Sequence, residues 1–373
     1  MGKRLRVLLL FGGRSGEHEV SLQSAASVFH ALDKNKYDVV PVGITKEGRW
    51  LAGLTPDEVL ERGFGASSCP VVLQPEPTRS GLLLLDEKKA ALCQGLEEPI
   101  QVVFPVLHGT FGEDGCVQGL LELAGLPYVG SGVLGSALAM DKILMKTVFA
   151  RHGFPQARFI GLMRWEWQQA AAEVISRLEE EIGYPCFVKP ANLGSSVGVS
   201  KARNREELSR ALGEAALYDR KIIVEENIEG REIELSVLGN NLPEVSVPGE
   251  IIPSNEFYDY EAKYLSGSSQ LIIPADLPDP VVARLQELAK EAFLALDCAG
   301  MVRADFFVRR SDNQVFINEV NTIPGFTKIS MYPKLWEASG LKYLDLLDRL
   351  IQLALERHEE KKRNLYTYHR LKG

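Results

Sequence analysis

A run of apolar residues at 5–11 stops at Gly12-Gly13-Arg14-Ser15-Gly16 and gives way to an amphipathic stretch at 17–32. Strand, glycine turn and helix in that order commit the amino-terminal part to an open α/β sheet. Further apolar runs at 39–44 and 101–107 supply more strands, and the last ends at His108-Gly109-Thr110-Phe111-Gly112-Glu113-Asp114-Gly115. Ligands of open parallel sheets gather beyond such strand ends. With 373 residues the chain is too long for one core, so two or three domains are expected.

Residues 53–98 are mixed, with Pro, Gly and Ser around 69–81, and read as small strands and loops. Small residues at 128–132 mark a domain junction ahead of a helix carrying Asp141, Lys142 and Lys146. Residues 165–182 have helical periodicity up to Gly183, and 185–189 and 199–202 read as strands joined by Gly194-Ser195-Ser196-Val197-Gly198. Asn204 and Glu207 have the spacing of a capping box. Strands are expected at 221–226, 232–238, 300–308 and 315–320, and a helix at 279–296. A last helix repeats Leu344, Leu347, Ile351 and Leu355, and ends in the charged tail after Glu356.

The formal net charge of -8 has no long basic stripe set against it, which excludes a nucleic-acid backbone as partner. No apolar stretch approaches the roughly 20 residues of a membrane span. The basic-then-apolar start runs into Gly12-Gly13 without a cleavage site, so a buried first strand and a cytoplasmic protein are expected. Five cysteines, odd in number and without C-x-x-C spacing, are expected as reduced core residues.

The chemistry concentrates near residue 310. In Arg303-Ala304-Asp305-Phe306-Phe307 and Ile317-Asn318-Glu319-Val320-Asn321, strand alternation puts Arg303 with Asp305, and Glu319 with Asn321, on common faces. If the strands pair, one face offers four polar groups. Two carboxylates and an amide oxygen suit magnesium, which completes its shell with phosphate oxygens and water. Arg303 beside them can hold phosphate or an oxyanion. Solvated residues on an edge strand explain any one of these, but not the set within otherwise apolar strands.

The chain has no G-x-x-x-x-G-K-[ST] motif, and Gly12 to Gly16 lack dinucleotide spacing. The 194–198 loop beside Lys189 can cover phosphates with backbone N–H groups, although a tight hairpin explains it equally when taken alone. His108, as a lone feature, fits a hydrogen-bonded strand-end histidine. Glu17 fits a first-turn carboxylate offsetting a helix dipole.

Five segments carry a resemblance. They are Glu17-His18-Glu19-Val20-Ser21-Leu22; His108-Gly109 through Gly112-Glu113-Asp114-Gly115 to Gln118-Gly119; Lys189-Pro190 with residues 194–198; Phe257-Tyr258-Asp259-Tyr260-Glu261-Ala262-Lys263-Tyr264; and Arg303 with Asp305 through Glu319-Val320-Asn321-Thr322 to Pro324-Gly325. In this order they resemble the D-alanine:D-alanine ligase family of ATP-grasp enzymes, from Val7 to about Leu355.

The resemblance implies an α/β (α+β) ATP-grasp fold of three domains. These are an N-terminal open parallel-sheet domain over 1–130, a central domain over 131–228, and a C-terminal domain over 229–373 with the metal site and a lid at 256–270. It implies ATP, two Mg2+ or Mn2+ ions with a monovalent cation as an optional addition, D-alanine as the other substrate, and a homodimer built through the N-terminal domain. D-Alanine is phosphorylated on its carboxylate and a second D-alanine attacks, giving the dipeptide of peptidoglycan precursors. By this likeness Asp305, Glu319 and Asn321 hold metal, and Lys146, Lys189 and Lys263 hold phosphates. Glu225, Ile228 and Glu232 meet adenine and ribose. Glu17 and His108 orient the first D-alanine, Ser195 and Tyr264 join Glu17 in a closing network, and Arg303 with the N–H of Gly325 forms an oxyanion hole. Ser330 and Met331 receive the second D-alanine. Relatives that make D-alanyl-D-lactate carry histidine in place of the Lys263-Tyr264 pair, so an amine acceptor is expected.

Overall fold

The computed structural model describes residues 4–65, 67–89, 93–194, 197–252, 270–327 and 329–366. Its first sheet is built around β1 (Leu5–Gly12), which pairs in parallel with β2 (Tyr37–Ile44) on one side and β6 (Val102–Val106) on the other. Residues 7–11 are fully buried, the mark of a central strand covered on both faces. β3 (Trp50–Ala52), β4 (Cys69–Leu73) and β5 (Leu82–Leu84) continue the sheet antiparallel, in the order β5-β4-β3-β2-β1-β6. The expected open parallel sheet is therefore mixed: the short link at 45–49 can only turn a strand back, whereas a parallel return needs a crossover such as α1 (His18–Ala31). α2 (Pro56–Arg62) is fixed at its start by a Thr55–Glu58 capping box, and α3 (Cys116–Leu123) follows the 108–115 loop.

The cysteines depart from expectation. Cys69 and Cys93 are joined in a disulfide, while Cys116, Cys186 and Cys298 are free. Count and C-x-x-C spacing carry no information about two side chains that the fold brings together across 24 residues.

After α4 (Val133–Met140) comes α5 (Lys142–Arg151), whose N-cap Asp141 accepts from the N–H groups of Ile143 and Leu144. The helix expected at 165–182 is two, α6 (Arg164–Gln169) and α7 (Ala171–Glu181), because Ala170 leaves helical geometry between them. A four-stranded antiparallel sheet, ordered β7-β10-β8-β9, combines β7 (Phe159–Met163), β8 (Cys186–Pro190), β9 (Ser200–Ala202) and β10 (Lys221–Glu226). α8 (Arg205–Tyr218) covers it. Asn204 caps α8 through the N–H of Glu207, but the carboxylate of Glu207 reaches back to the N–H of Arg203, so the box closes one residue early.

The third sheet is antiparallel, ordered β14-β13-β11-β15-β16 with β12 beside β11. Its strands are β11 (Gly230–Gly239), β12 (Glu244–Val245), β13 (Gly249–Ile252), β14 (Gln270–Ile272), β15 (Gly300–Arg309) and β16 (Val315–Asn321). α9 (Asp279–Ala295) and α5 pack Phe293, Leu285, Met145 and Phe149 onto one face of it, over Ile233, Leu235, Val302 and Phe306. α10 (Met331–Ala338) leads to α11 (Tyr343–Lys361), which returns to the first sheet. The stripe that α11 buries is Leu346, Leu347, Leu350, Ile351, Leu353 and Ala354, set against Val7, Leu9, Phe11 and Phe104. Leu344, expected on that face, is 42% exposed, and the helix runs on past Glu356 to Lys361. Among the described residues no helix is long and apolar enough to cross a membrane.

Candidate active site

One cavity of about 550 Å3 reaches all three sheets. Glu17 and His108 line it from loops of the first sheet, Lys189 from β8, and Glu225, Ile228 and Glu232 from the passage between β10 and β11. Arg303, Asp305, Glu319 and Asn321 face it from β15 and β16, Gly325 and Ser330 from the segment before α10, and Met331 from the first residue of α10. Ser195, Lys263 and Tyr264 lie outside the described residues, as does the expected lid apart from Gln270, which opens β14.

The polar face of the third sheet depends on one irregularity. β15 and β16 pair Phe306 with Ile317 but Asp305 with Glu319, so Asn318 is an extra residue with no partner across the ladder. A slip of one residue moves every following side chain to the opposite face. The bulge thus puts Ile317 and Val320 both in the core and brings Glu319 opposite Asp305, with Asn321 opposite Arg303. On the other side, β11 sets Glu234 opposite Asp305. Three carboxylates therefore lie in one row across three strands.

Arg303 grips this row. Its Nε and Nη2 donate to the two oxygens of Asp305, each at 2.7 Å, and its Nε lies 3.1 Å from Glu234 Oε2. Burial opposes the guanidinium charge, yet Asp305 and Glu234 outweigh it and hold Arg303 well above its ordinary range. Asn321 Nδ2 donates to Asp305 Oδ2 at 2.9 Å, and Lys142 Nζ stands 3.5 Å from Glu319. Two carboxylates and an amide, all offering oxygen, fit a hard divalent ion. Among the described residues no three His, Cys, Asp or Glu side chains form a metal cage.

A second charged cluster beside this face is largely buried. Glu225 is paired through one oxygen with Lys146 Nζ at 2.8 Å and through the other with Lys189 Nζ at 2.5 Å. Burial works against its charge, but the two lysines prevail and bring the carboxyl down to about 2. Lys189 is correspondingly raised: burial pulls it down, and Glu225 and Glu319 more than offset this. Lys146 is 1% exposed and does not line the cavity; it acts on the site through Glu225.

At the opposite wall Glu17 is buried against Gly194, so closely that a Cβ on that glycine would stand 2.2 Å from its Oε2. Any side chain at 194 would push the Glu17 carboxylate aside. His108 is buried with both ring nitrogens engaged, Nδ1 at 2.9 Å from Ile323 O and Nε2 at 3.1 Å from Ser24 Oγ. Burial lowers its pKa, and Glu17 offsets this only in part. Glu113 accepts from the N–H groups of Gly109 and Ile323, while burial, with Glu17 adding, pushes its carboxyl up to about 8. Gly325 borders the cavity, and its N–H makes no hydrogen bond among the described residues. Sequence reading gave no site role to Glu234, Lys142 or Ser24. Glu234 was within reach, since it alternates with Glu232 on one strand face.

Two family profiles match the chain, one described as D-ala D-ala ligase N-terminus over residues 6–131 and one as D-ala D-ala ligase C-terminus over residues 148–352. The chain belongs to the D-alanine–D-alanine ligase family. A member from Natranaerobius thermophilus is 54% identical over 97% of this chain and 98% of its own. Among solved structures, the D-alanine-D-alanine ligase of Coxiella burnetii is 39% identical, with a TM-score of 0.83 over 97% of both chains. VanG, a D-Ala:D-Ser ligase of Enterococcus faecalis, is 36% identical, with a TM-score of 0.83 over 94% of this chain and 100% of its own. The three sheets and the cavity they share are thus the ATP-grasp fold of this ligase family.

Proposed function

We propose that this chain joins two D-alanine molecules at the expense of ATP. The observation that carries this reading is the meeting, in one cavity, of Glu17, the Lys189–Glu225–Lys146 cluster and the Arg303–Asp305–Glu319–Asn321 face.

In the first step an oxygen of the D-alanine carboxylate attacks the γ-phosphorus of ATP and ADP leaves. Lys189 supplies fixed positive charge beside the transferred group, and Lys146 holds Glu225 so that Lys189 is not fully neutralised by it. Ile228 gives the adenine an apolar wall, and Glu225 and Glu232 border the nucleoside end. Asp305, Glu319 and Asn321 would hold two Mg2+ or Mn2+ ions, which when bound supply charge neutralisation along the phosphates. Glu17 orients the first D-alanine through its ammonium group, with His108 beside it.

In the second step the amine of another D-alanine attacks the acyl carbon. The tetrahedral centre then expels phosphate, and the amine loses its proton. In this reading Arg303 and the Gly325 N–H, both from residues lining the cavity, receive the oxyanion. Ser330 and Met331 border the space for the second carboxylate. Ser195, Lys263 and Tyr264 complete the reading as loop contacts. The domain limits 1–130, 131–228 and 229–373, the homodimer and the cytoplasmic location belong to the same proposal.

The test is incubation with ATP, Mg2+ and D-alanine, with D-serine and D-lactate as competitors. D-Alanyl-D-alanine and ADP in equal amounts are expected. ADP release without dipeptide, or a majority of mixed product, would overturn the reading.

A further inference from the structure

The backbone that carries Gly325 is held from outside its own sheet. Beyond β16 the chain enters a turn at 322–327, and three of its backbone groups are bound by side chains of the first sheet and its helix. Glu113 Oε1 accepts from the Ile323 N–H at 3.0 Å. The Ile323 carbonyl, which can only accept, faces His108 Nδ1 at 2.9 Å, so that nitrogen donates. Nε2 of the neutral ring then accepts from the Ser24 hydroxyl at 3.1 Å. Ser24 Oγ in turn accepts from the Phe326 N–H at 3.3 Å.

Ser24 is fully buried in α1, next to Ala25 and Ala26, where packing alone would be served as well by a methyl group. Its hydroxyl proton goes to His108, and a lone pair goes to Phe326. The two peptides it controls, one through His108 and one directly, are Ile323–Pro324 and Gly325–Phe326. They flank the Pro324–Gly325 peptide, and Gly325 lines the cavity with its N–H free of hydrogen bonds among the described residues.

We infer that Ser24 is a positioning residue for acyl transfer: with His108 it clamps the peptides on either side of the Gly325 N–H and fixes that donor for the tetrahedral centre. This rests on the proposed role of Gly325 as an oxyanion donor. The relay also ties the wall that holds the first substrate to the wall that stabilises its transition state, so that neither moves without the other.

Ser24→Ala removes both links while keeping the packing. Its kcat is expected to fall by about tenfold or more, since displaced oxyanion donors lose up to about 10² to 10³ in rate. KM for ATP should stay within about twofold. Inhibition by a tetrahedral phosphinate mimic of the dipeptide should weaken by the same factor as kcat/KM. Val28→Ala, in the same buried helix face, controls for stability: its melting temperature drops and its kcat holds. A kcat for Ser24→Ala within about twofold of wild type would overturn the inference, and so would a phosphinate affinity that does not follow kcat/KM. Should Ser24→Ala not fold, Ser24→Cys is read on the same scale. A wild-type protein that makes no dipeptide would instead sink the function.

Discussion

The first and third sheets handle polar groups in opposite ways. β1 is buried and apolar on both faces, so its neighbourhood keeps chemistry beyond the strand ends, where Glu17 and His108 stand. β11, β15 and β16 turn Ile233, Leu235, Val302, Ala304 and Phe306 to a core on one side and Glu234, Arg303, Asp305 and Glu319 to the cavity on the other. A parallel sheet covered on both faces has no room for charge, whereas an antiparallel sheet covered on one face can spend the other on ligands. Substitutions in the two sheets should therefore fail differently: on the third sheet's open face they should remove catalysis and spare the fold, and within β1 they should do the reverse.

The largest effect tests the open face. Glu319→Gln should lower turnover by at least about 10³-fold while the far-ultraviolet circular dichroism and melting temperature stay near wild type. Activity above about a tenth of wild type in an ADP-release assay would break the contrast. Leu9→Ala tests the other sheet. Its loss of stability should be about 3 kcal/mol by urea titration, with KM for ATP within about twofold. A large KM change there would show that the first sheet shapes the nucleotide site.

The smallest effect is a slope with pH. Glu113 sits at about 8 in the folded chain against an ordinary 4.5, so the unfolded chain gives up that proton first and stability falls as pH rises between those values. Glu113→Gln cannot ionise there, and its melting temperature should decline less from pH 5 to pH 8 than that of wild type. Equal slopes would mean that Glu17 and the burial of Glu113 do not govern this range.

Much of this was legible because it rests on local rules. Gly12-Gly13 after an apolar run, Asn204 three residues before Glu207, and the alternation of Arg303 with Asp305 each act within a few residues. What escaped depends on the partner strand or on a distant contact. The bulge at Asn318 is defined only against β15, and without it Glu319 would face the core. Ser24 reads as one more small residue of an amphipathic helix until a turn three hundred positions later is laid over it. The phase of α11 was misjudged because Leu344 is apolar but sits in the first turn, before the helix meets the sheet. A continuous period across Ala170 likewise concealed the break between α6 and α7.

The covering of β1 and β6 by α11 has a consequence for synthesis. The first sheet is complete in sequence at Val106 and α1 already packs on β1, but the helix that completes the cover beside Phe104 begins at Tyr343. At roughly 5–20 residues per second, a ribosome needs on the order of ten seconds or more to make what lies between. For that interval the part of this face that α1 leaves uncovered stays open. Chaperone dependence during translation should therefore be set by the last helix, and a chain that stalls before it will present the first sheet to whatever binds apolar surfaces.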